Sequence, residues 1–255
     1  MIPPNDRGLL LGDGLFETLL AVDGAVRHLE AHLDRMAAGC VALGLPDLDR
    51  EAARGLVRAA PGEAGLTAGR AAVRLTLTAG SGGRGLDRPD APVCVLLASC
   101  APAPPAGAPA RAVVAGVRRN EGSPASRLKT LSYLDNVLAR AQARRAGADE
   151  ALMLNNRGWL ACASAGNLFW LEGGVLATPA LDCGVLAGLA RGRVMAAAGA
   201  LGLEVREAHA GIEALATADA VFLTNSLTGV RPLVSLDGRA LGEDPHVAAL
   251  AAQVG

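Results

Sequence analysis

A stretch rich in proline and alanine, CAPAPPAGAPARA at positions 100–112, constrains the architecture of this 255-residue chain more than any other feature. Each proline fixes φ and removes a backbone donor, so we expect a run of this composition to continue neither a helix nor a strand. A chain of this length suits one large domain or two smaller ones. We therefore predict an N-terminal domain over 1–104, a linker over 105–112 and a second domain over 113–255.

Hydrophobic periodicity predicts both helices and strands in the first domain. Residues 27–45 and 49–60 have helical periodicity, whereas residues 73–78 alternate apolar and polar side chains as a half-buried strand does. The segment APVCVLLAS is the expected hairpin partner of that strand, and residues 9–22 are expected to form a strand, a turn at GDG and a second strand.

The second domain is also predicted to be mixed. Helices are expected at 131–147, at 188–201 and at the C-terminal DPHVAALAAQVG, with short strands between them. In the first of these helices Leu134, Val137, Leu138 and Ala141 are expected to face inward. Because the strands and helices follow no regular βα repeat, the predicted fold class is α+β in two domains.

Charge and cysteine content exclude several classes of partner. The net charge is −1 with 19 % charged residues, which indicates neither a nucleic-acid nor an anionic-membrane partner. Five cysteines form no CxxC pair and four histidines are scattered, so no metal site is predicted. Reduced thiols, no apolar signal core in MIPPNDRGLL and no apolar run as long as a membrane span together predict a cytoplasmic protein.

The segment GSGGRG at 80–85 matches the pattern G-x-G-x-x-G, which in a dinucleotide-binding fold opens a helix. Here LDRPDAP follows, and its prolines are incompatible with that helix. A hairpin loop is the preferred interpretation. Arg84 in this loop could be solvated or could bind a substrate carboxylate.

Lys129 is the only lysine among 24 basic Lys and Arg residues. Arginine can replace lysine as a surface cation or a phosphate ligand, but its guanidinium is not a nucleophile at neutral pH. A lysine amine can form a Schiff base once its pKa is lowered. The alternatives are therefore an imine-forming lysine and a surface lysine without function.

Several segments occur in an order that favours the first alternative. They are GDGLFETLLAVDG, AHLDRM, GSGGRG, SPASRLKTLSYLDN, GADEALMLNNRGWLA, GNLFWL, GVLAGLAR and VFLTNSLTGVRPL. The series resembles the class IV, or fold type IV, pyridoxal-phosphate enzymes over nearly the whole chain. This family includes branched-chain and D-amino-acid aminotransferases and 4-amino-4-deoxychorismate lyase, and the last is the most similar branch.

The resemblance implies a D-amino-acid-aminotransferase-like fold with pyridoxal 5'-phosphate in the cleft between two domains, and a homodimer acting on a small-molecule substrate. Lys129 matches the lysine that binds the cofactor's aldehyde and transfers the substrate proton. The remaining matched positions imply cofactor contacts by Arg35, Tyr133, Asn167, Leu189, Ala190 and Ser226. Arg84 and Arg119 are the candidates for binding a substrate carboxylate.

Cys162 departs from the family pattern. The family usually carries a glutamate at this position, where the carboxylate keeps the pyridine nitrogen of the cofactor protonated. A neutral thiol is a weak hydrogen-bond partner and supplies no opposing charge. Leu11, before GDG, replaces a usual tyrosine, and Leu86, after GSGGRG, replaces an aromatic residue.

The resemblance implies conversion of 4-amino-4-deoxychorismate to 4-aminobenzoate and pyruvate in folate synthesis. Loss of the proton and the leaving group creates an aromatic ring, so this elimination depends less on a strong electron sink than transamination does. The alternatives are an aminotransferase acting on branched-chain or D-amino acids, and a catalytically impaired relative that serves as a binding module.

Overall fold

The computed structural model describes residues 2–254, which form two compact units. The first unit comprises the chain up to Pro104 together with Leu128–Ser132. The second comprises Pro105–Arg127 together with the chain from Tyr133 onward. The segment around Lys129 therefore belongs to the first unit, although the sequence prediction placed it in the second domain.

The first unit is a four-stranded antiparallel sheet with two long helices packed on it. In chain order its elements are α1 (Arg7–Leu11), β1 (Gly14–Val22), β2 (Ala25–Val26), α2 (Leu29–Leu43), α3 (Arg50–Glu63), β3 (Arg70–Thr78) and β4 (Val95–Pro102). The strands lie in the order β2-β1-β3-β4. Leu19 on β1, Leu33 on α2 and Val73 on β3 are fully buried between the sheet and the helices.

The prediction of a strand before GDG is wrong, because residues 9–11 lie in α1. The carboxylate of Asp6 accepts hydrogen bonds from the backbone N–H groups of Gly8 and Leu9 and so begins the helix. Gly12 ends it in the left-handed conformation, with φ 68°. This local capping outweighs the alternation of the surrounding sequence.

The segment Leu128–Ser132 joins the first unit through backbone hydrogen bonds to the start of β1. Phe16 N donates to Lys129 O at 2.9 Å, and Leu131 N donates to Gly14 O at 3.0 Å. These bonds extend β1 with a short antiparallel partner and fix the backbone of Lys129.

The second unit contains a nine-stranded mixed sheet and, within the described residues, three α-helices. In chain order its elements are β5 (Ala110–Val114), α4 (Leu134–Arg145), β6 (Glu150–Leu154), β7 (Leu160–Ala163), β8 (Asn167–Glu172), β9 (Val175–Pro179), α5 (Leu189–Ala200), β10 (Glu204–Ala208), β11 (Ala220–Asn225), β12 (Gly229–Leu236), β13 (Arg239–Ala240) and α6 (Pro245–Val254). Eight strands lie in the order β10-β9-β8-β11-β12-β5-β6-β7, while β13 pairs with β12. Phe169 on β8 and Phe222 on β11 stack in the core with ring centroids 5.1 Å apart.

The connection between the two units begins two residues and ends three residues before the predicted linker over 105–112. The strand β4 continues to Pro102 and β5 begins at Ala110, so the connection without regular structure covers residues 103–109. Pro102 is tolerated because it is the last residue of an edge strand, and Pro109 lies just outside β5. Because prolines lie at the ends of these strands, the composition did not indicate that the alanines beside them belong to strands.

The predicted inward face of α4 is also wrong. Leu134, Val137 and Leu138 are 67 %, 58 % and 48 % exposed. The buried face instead consists of Asn136, Ala139 and Ala143. Asn136 directs this orientation, because its side-chain amide donates to the backbone carbonyl of Ser164 at 2.9 Å.

The other long helices and the β3–β4 hairpin lie where their periodicity predicted them. Among the described residues, no helix combines the length and the apolar character needed to cross a bilayer.

Candidate functional site

Lys129 lies against an aromatic ring in the first unit. Its Nζ is 4.2 Å from the centroid of the Phe16 ring, and the guanidinium carbon of Arg74 is 3.9 Å from the same centroid. The backbone pairing with β1 fixes the position from which the lysine side chain extends. The amine therefore extends from a turn that is hydrogen-bonded to β1, and a second cation lies near the same ring.

The pKa of Lys129 is lowered from 10.5 to about 8, chiefly because burial disfavours the charged amine. The carboxylate of Glu17 acts in the opposite direction, and the cations Arg35 and Arg74 lower the pKa further. At pH 7 a group with a pKa of about 8 is roughly one-tenth neutral, whereas an ordinary lysine is neutral in about one molecule in 3,000. The sole lysine thus has the chemical property that imine formation needs.

A buried carboxylate, Glu17, organises the charges around this amine. His32 Nδ1 lies 2.6 Å from Glu17 Oε2, and Arg35 donates from Nε at 2.8 Å and from Nη2 at 2.6 Å to the two carboxylate oxygens. Glu17 and His32 are 1 % and 2 % exposed. We call Glu17, His32 and Arg35 the Glu17 cluster.

Glu17 stays ionised in spite of its burial. Burial raises its pKa, but the hydrogen bonds from Arg35 and His32 outweigh that effect and leave the pKa below its usual value. The carboxylate therefore fixes the Arg35 guanidinium in a bidentate pair. Arg35 was predicted as a phosphate contact, and that role stays a prediction.

Sequence reasoning did not identify Glu17, His32 or Arg74. Two signals were present. Glu17 interrupts the apolar strand GLFETLLAV at a position with buried neighbours, and His32 and Arg35 are three residues apart on one face of α2.

In the second unit, the N-terminus of α5 offers unpaired backbone donors. Its N-cap is Gly188, which has no side chain to accept a hydrogen bond from the first turn. The N–H groups of Leu189 and Ala190 in the first turn therefore have no capping acceptor, and the helix dipole favours an anion there. This arrangement fits a phosphate group, and the cofactor contacts of Leu189 and Ala190 stay predictions.

Asn167 lies against this helix start. Its side-chain amide donates to Leu186 O at 2.9 Å, and a Cβ added to Gly188 would lie 2.0 Å from Asn167 Oδ1. Asn167 also pairs across the sheet with Thr224, whose buried Oγ1 has no hydrogen-bond partner in the described part of the chain. Asn167 is thus a neighbour both of an orphaned hydroxyl and of the start of α5, and these are donors that a phosphate-bearing cofactor would satisfy.

Ser226 lies in the turn that follows Thr224. The side-chain carbonyl of Asn225 accepts hydrogen bonds from Leu227 N at 2.9 Å and from Thr228 N at 2.8 Å, which holds this turn in a fixed shape. The structure thus brings Asn167 and the α5 N-terminus together and places Ser226 two residues beyond Thr224. Their cofactor roles stay predictions.

Cys162 lies on β7 and is 8 % exposed. Burial raises the pKa of its thiol, and although the Arg119 cation acts to lower it, the net shift is upward. At neutral pH the side chain is therefore a neutral thiol. It cannot provide the charge that the family's glutamate would.

Arg119 has a structural role in the second unit. It is 7 % exposed, and it donates to the carbonyls of Gly184 and Ser126 and to Asn136 Oδ1. These internal acceptors engage its guanidinium, which argues against its predicted role as a substrate carboxylate ligand.

Arg84, by contrast, is exposed in the loop between β3 and β4 and remains a candidate. Tyr133 is half-buried and begins α4, and the structure does not test its predicted cofactor contact.

We expect Gly188→Ala to weaken cofactor binding by about tenfold or more, because the new methyl group would clash with Asn167 Oδ1 and displace the start of α5. Asn167 cannot turn away easily, since its amide is bonded to Leu186 O. The dissociation constant of pyridoxal 5'-phosphate, followed by fluorescence, measures the effect. The matched control is Gly192→Ala in the same helix, where an added Cβ would have no atom of the described residues within 4 Å. Equal affinities for both variants would contradict the assignment of this helix start.

Comparison with known proteins places these features in a wider context. The profile of the family described as "Amino-transferase class IV" matches residues 14–236. A protein of Methanocaldococcus jannaschii assigned as a branched-chain-amino-acid aminotransferase is 35 % identical over 243 residues, covering 92 % of this chain and 83 % of that protein. Aminodeoxychorismate lyase of Bacillus subtilis is 28 % identical over 240 residues, covering 93 % of this chain and 82 % of that enzyme.

Solved structures agree with these matches. The crystal structure of a Legionella pneumophila protein assigned as 4-amino-4-deoxychorismate lyase superposes with a TM-score of 0.91 at 28 % identity, covering 98 % of this chain and 92 % of that chain. The likeness confirms the prediction of a two-domain α+β fold.

Proposed function

The chain belongs to the class IV aminotransferase family of pyridoxal-phosphate enzymes, and we propose that within this family it is a lyase. Its proposed substrate is 4-amino-4-deoxychorismate, and its products are 4-aminobenzoate and pyruvate. The similarity to aminodeoxychorismate lyase over 93 % of the chain supports this substrate.

The observation that carries the lyase proposal is the buried neutral thiol of Cys162 at the position where the family usually has a glutamate. Bound pyridoxal phosphate supplies an electron sink for the electron pair left when the substrate loses a proton. Without an opposing carboxylate at the pyridine nitrogen that sink is weaker. Elimination tolerates a weaker sink better than transamination, because formation of the aromatic product contributes driving force.

Lys129 has two roles in this proposal. Its neutral amine, which its pKa of about 8 makes available at neutral pH, would hold the cofactor through the aldehyde. The same amine would accept the substrate proton that must be lost before pyruvate leaves. The Phe16 ring and the backbone pairing with β1 orient Nζ for both steps.

The backbone N–H groups of Leu189 and Ala190, together with Ser226, would hold the phosphate. An anion at the start of α5 would interact with the helix dipole and with donors that lack a capping acceptor. Arg35 is proposed as a further phosphate ligand, and Glu17 fixes its orientation. Arg84 is the proposed contact for a substrate carboxylate.

The alternative is an aminotransferase acting on branched-chain or D-amino acids. The 35 % identity to a protein assigned as a branched-chain-amino-acid aminotransferase supports it. The two activities differ in a simple assay. A lyase releases 4-aminobenzoate and pyruvate without an amino acceptor, whereas an aminotransferase given an amino donor alone converts its cofactor to the pyridoxamine form.

The test is to incubate the purified holoenzyme with 4-amino-4-deoxychorismate and no 2-oxo acid. We expect 4-aminobenzoate and pyruvate in equal amounts, quantified by chromatography and by a coupled dehydrogenase. If neither product forms while amino donors such as leucine or D-alanine convert the cofactor, the lyase proposal is wrong and the aminotransferase alternative stands.

We expect Cys162→Glu to raise the half-reaction with amino donors by about tenfold or more, because a carboxylate would strengthen the electron sink. Cys162→Ser is the matched control, since it keeps a neutral side chain of similar size and is expected to show no gain. The rate of conversion to the pyridoxamine form measures the effect, and circular dichroism checks that both variants fold. A glutamate variant as slow as the serine variant would remove the electronic argument for the lyase.

A homodimer and a cytoplasmic location, both expected earlier, are also proposed. The exposed apolar side chains Leu134, Val137 and Leu138 on α4 are of the kind that a subunit interface buries, which supports a dimer.

A further inference from the structure

A cluster of three metal-ligand side chains lies in the second unit, apart from the residues discussed above. Asp182 and Cys183 occupy the short 3-10 turn Leu181–Cys183 after β9, and His209 follows directly after β10. One possible ligand atom from each of them lies within 4.8 Å of the others. We propose that Asp182, Cys183 and His209 form a binding site for a zinc ion.

The fold brings these three residues together through paired backbones. The strands β9 and β10 are parallel neighbours, and Ala180 N donates to Ala208 O at 3.1 Å just where both strands end. The turn that carries Cys183 is closed by the hydrogen bond from Cys183 N to Ala180 O at 3.0 Å. The ligand side chains therefore extend from two backbone segments that are already fixed relative to each other. Binding of the ion then has to order little more than the side chains themselves.

The donor set suits zinc. Thiolate sulfur, imidazole nitrogen and carboxylate oxygen are its usual protein ligands, and a site with three protein ligands keeps a fourth position for water. Thiolate favours zinc over magnesium or calcium, which prefer oxygen.

The spacing can reach tetrahedral geometry with small movements. Zinc–ligand lengths place neighbouring ligand atoms about 3.3–3.7 Å apart. His209 Nε2 and Asp182 Oδ1 are 2.6 Å apart and must separate by under about 1 Å to admit the ion. Their side chains are 42 % and 64 % exposed, so they have room to rotate and leave an entry path for the metal.

Cys183 supplies the buried end of the site and is fully shielded from solvent. Binding would form a zinc–sulfur bond, break the S–H bond of the thiol and release that proton to solvent, which balances the step without an oxidant. Trp159 lies against His209 with ring centroids 4.6 Å apart and limits the movement of the imidazole.

The sequence prediction of no metal site rested on the absence of closely spaced cysteines and histidines. Cys183 and His209 are 26 residues apart and meet only because β9 and β10 are neighbours.

The experiment uses the purified full-length holoenzyme, freed of metal by a chelator and titrated with cobalt(II) as a spectroscopic substitute for zinc. We expect one equivalent to bind, with a thiolate-to-cobalt charge-transfer band and the strong visible bands of four-coordinate cobalt. Added zinc should abolish both signals. Zinc binding, followed by calorimetry in two buffers of different ionisation enthalpy, should release close to one proton at neutral pH.

Variants test each ligand. Cys183→Ser should remove the charge-transfer band, and His209→Ala should weaken zinc binding on the order of a hundredfold. The matched control is His246→Ala, because His246 forms a similar pair with Asp244 at 2.8 Å but lies in no three-ligand cluster among the described residues. Since Cys183 is buried and its variant could misfold, Asp182→Asn at an exposed position provides an independent test. Failure to bind one equivalent, a band that persists in Cys183→Ser, or equal losses in the His209 and His246 variants would overturn the proposal.

Discussion

Lys129→Arg is expected to lower the rate of product formation by more than about 10³-fold while leaving the protein folded. Arginine keeps the positive charge beside Phe16 and Glu17, but it cannot bond to an aldehyde or accept a proton at neutral pH. The measurement is the turnover of the variant at saturating cofactor. It is made once with 4-amino-4-deoxychorismate and once with amino donors, so that it covers both activities of the family. Arg127→Ala, an exposed position two residues earlier, is the control and should keep its activity. Substantial turnover by Lys129→Arg would show that the amine is not the catalytic group.

The same lysine predicts a pH dependence of cofactor uptake. Because only the neutral amine attacks the aldehyde, the rate of reconstitution of the apoenzyme should rise with pH and level off above the Lys129 pKa of about 8. Between pH 7 and pH 9 the neutral fraction of an amine with a pKa of about 8 rises about tenfold. A rate that keeps rising towards pH 10.5 would indicate a lysine with an ordinary pKa.

Glu17→Gln is expected to destabilise the protein by about 3 kcal/mol, because it removes the buried carboxylate that binds the half-buried Arg35 and the buried His32. It should also move the midpoint of the reconstitution profile below pH 8, since the Glu17 carboxylate raises the pKa of Lys129. Urea unfolding measures the first effect, and apoenzyme reconstitution measures the second.

Glu30→Gln is the matched control for this variant. Glu30 is an exposed carboxylate that binds Arg50 and Arg54 on the surface of the same unit. Exposed ion pairs contribute little, so its urea midpoint and its reconstitution profile should match those of the wild type. A Glu17 variant that behaves like the Glu30 variant would show that the Glu17 cluster neither stabilises the unit nor influences Lys129.

The sequence was informative where one position had to satisfy one chemical requirement. A single lysine in an arginine-rich chain indicated imine chemistry, and GVLAGLAR indicated a helix whose first backbone N–H groups could bind phosphate. Both depend on local sequence. Helices with a strong apolar stripe, such as α2, were predictable for the same reason.

Features that depend on tertiary contacts were not predictable. The α4 helix exposes its leucines because Asn136 bonds to the backbone of Ser164, 28 residues away in sequence. The Glu17 cluster joins a strand to a helix, and the pairing of Asp182 and Cys183 with His209 depends on strand order. Periodicity carries no information about which polar side chains will meet.

Reduction of the purified holoenzyme with borohydride, followed by peptide mapping, identifies the residue that holds the cofactor. Borohydride converts an imine to a stable secondary amine, so the label remains on the residue that held the cofactor. We predict loss of the visible absorbance of the imine and one pyridoxyl group per chain, on Lys129. An unlabelled Lys129 peptide in a preparation that contains bound cofactor would show that this lysine does not hold it.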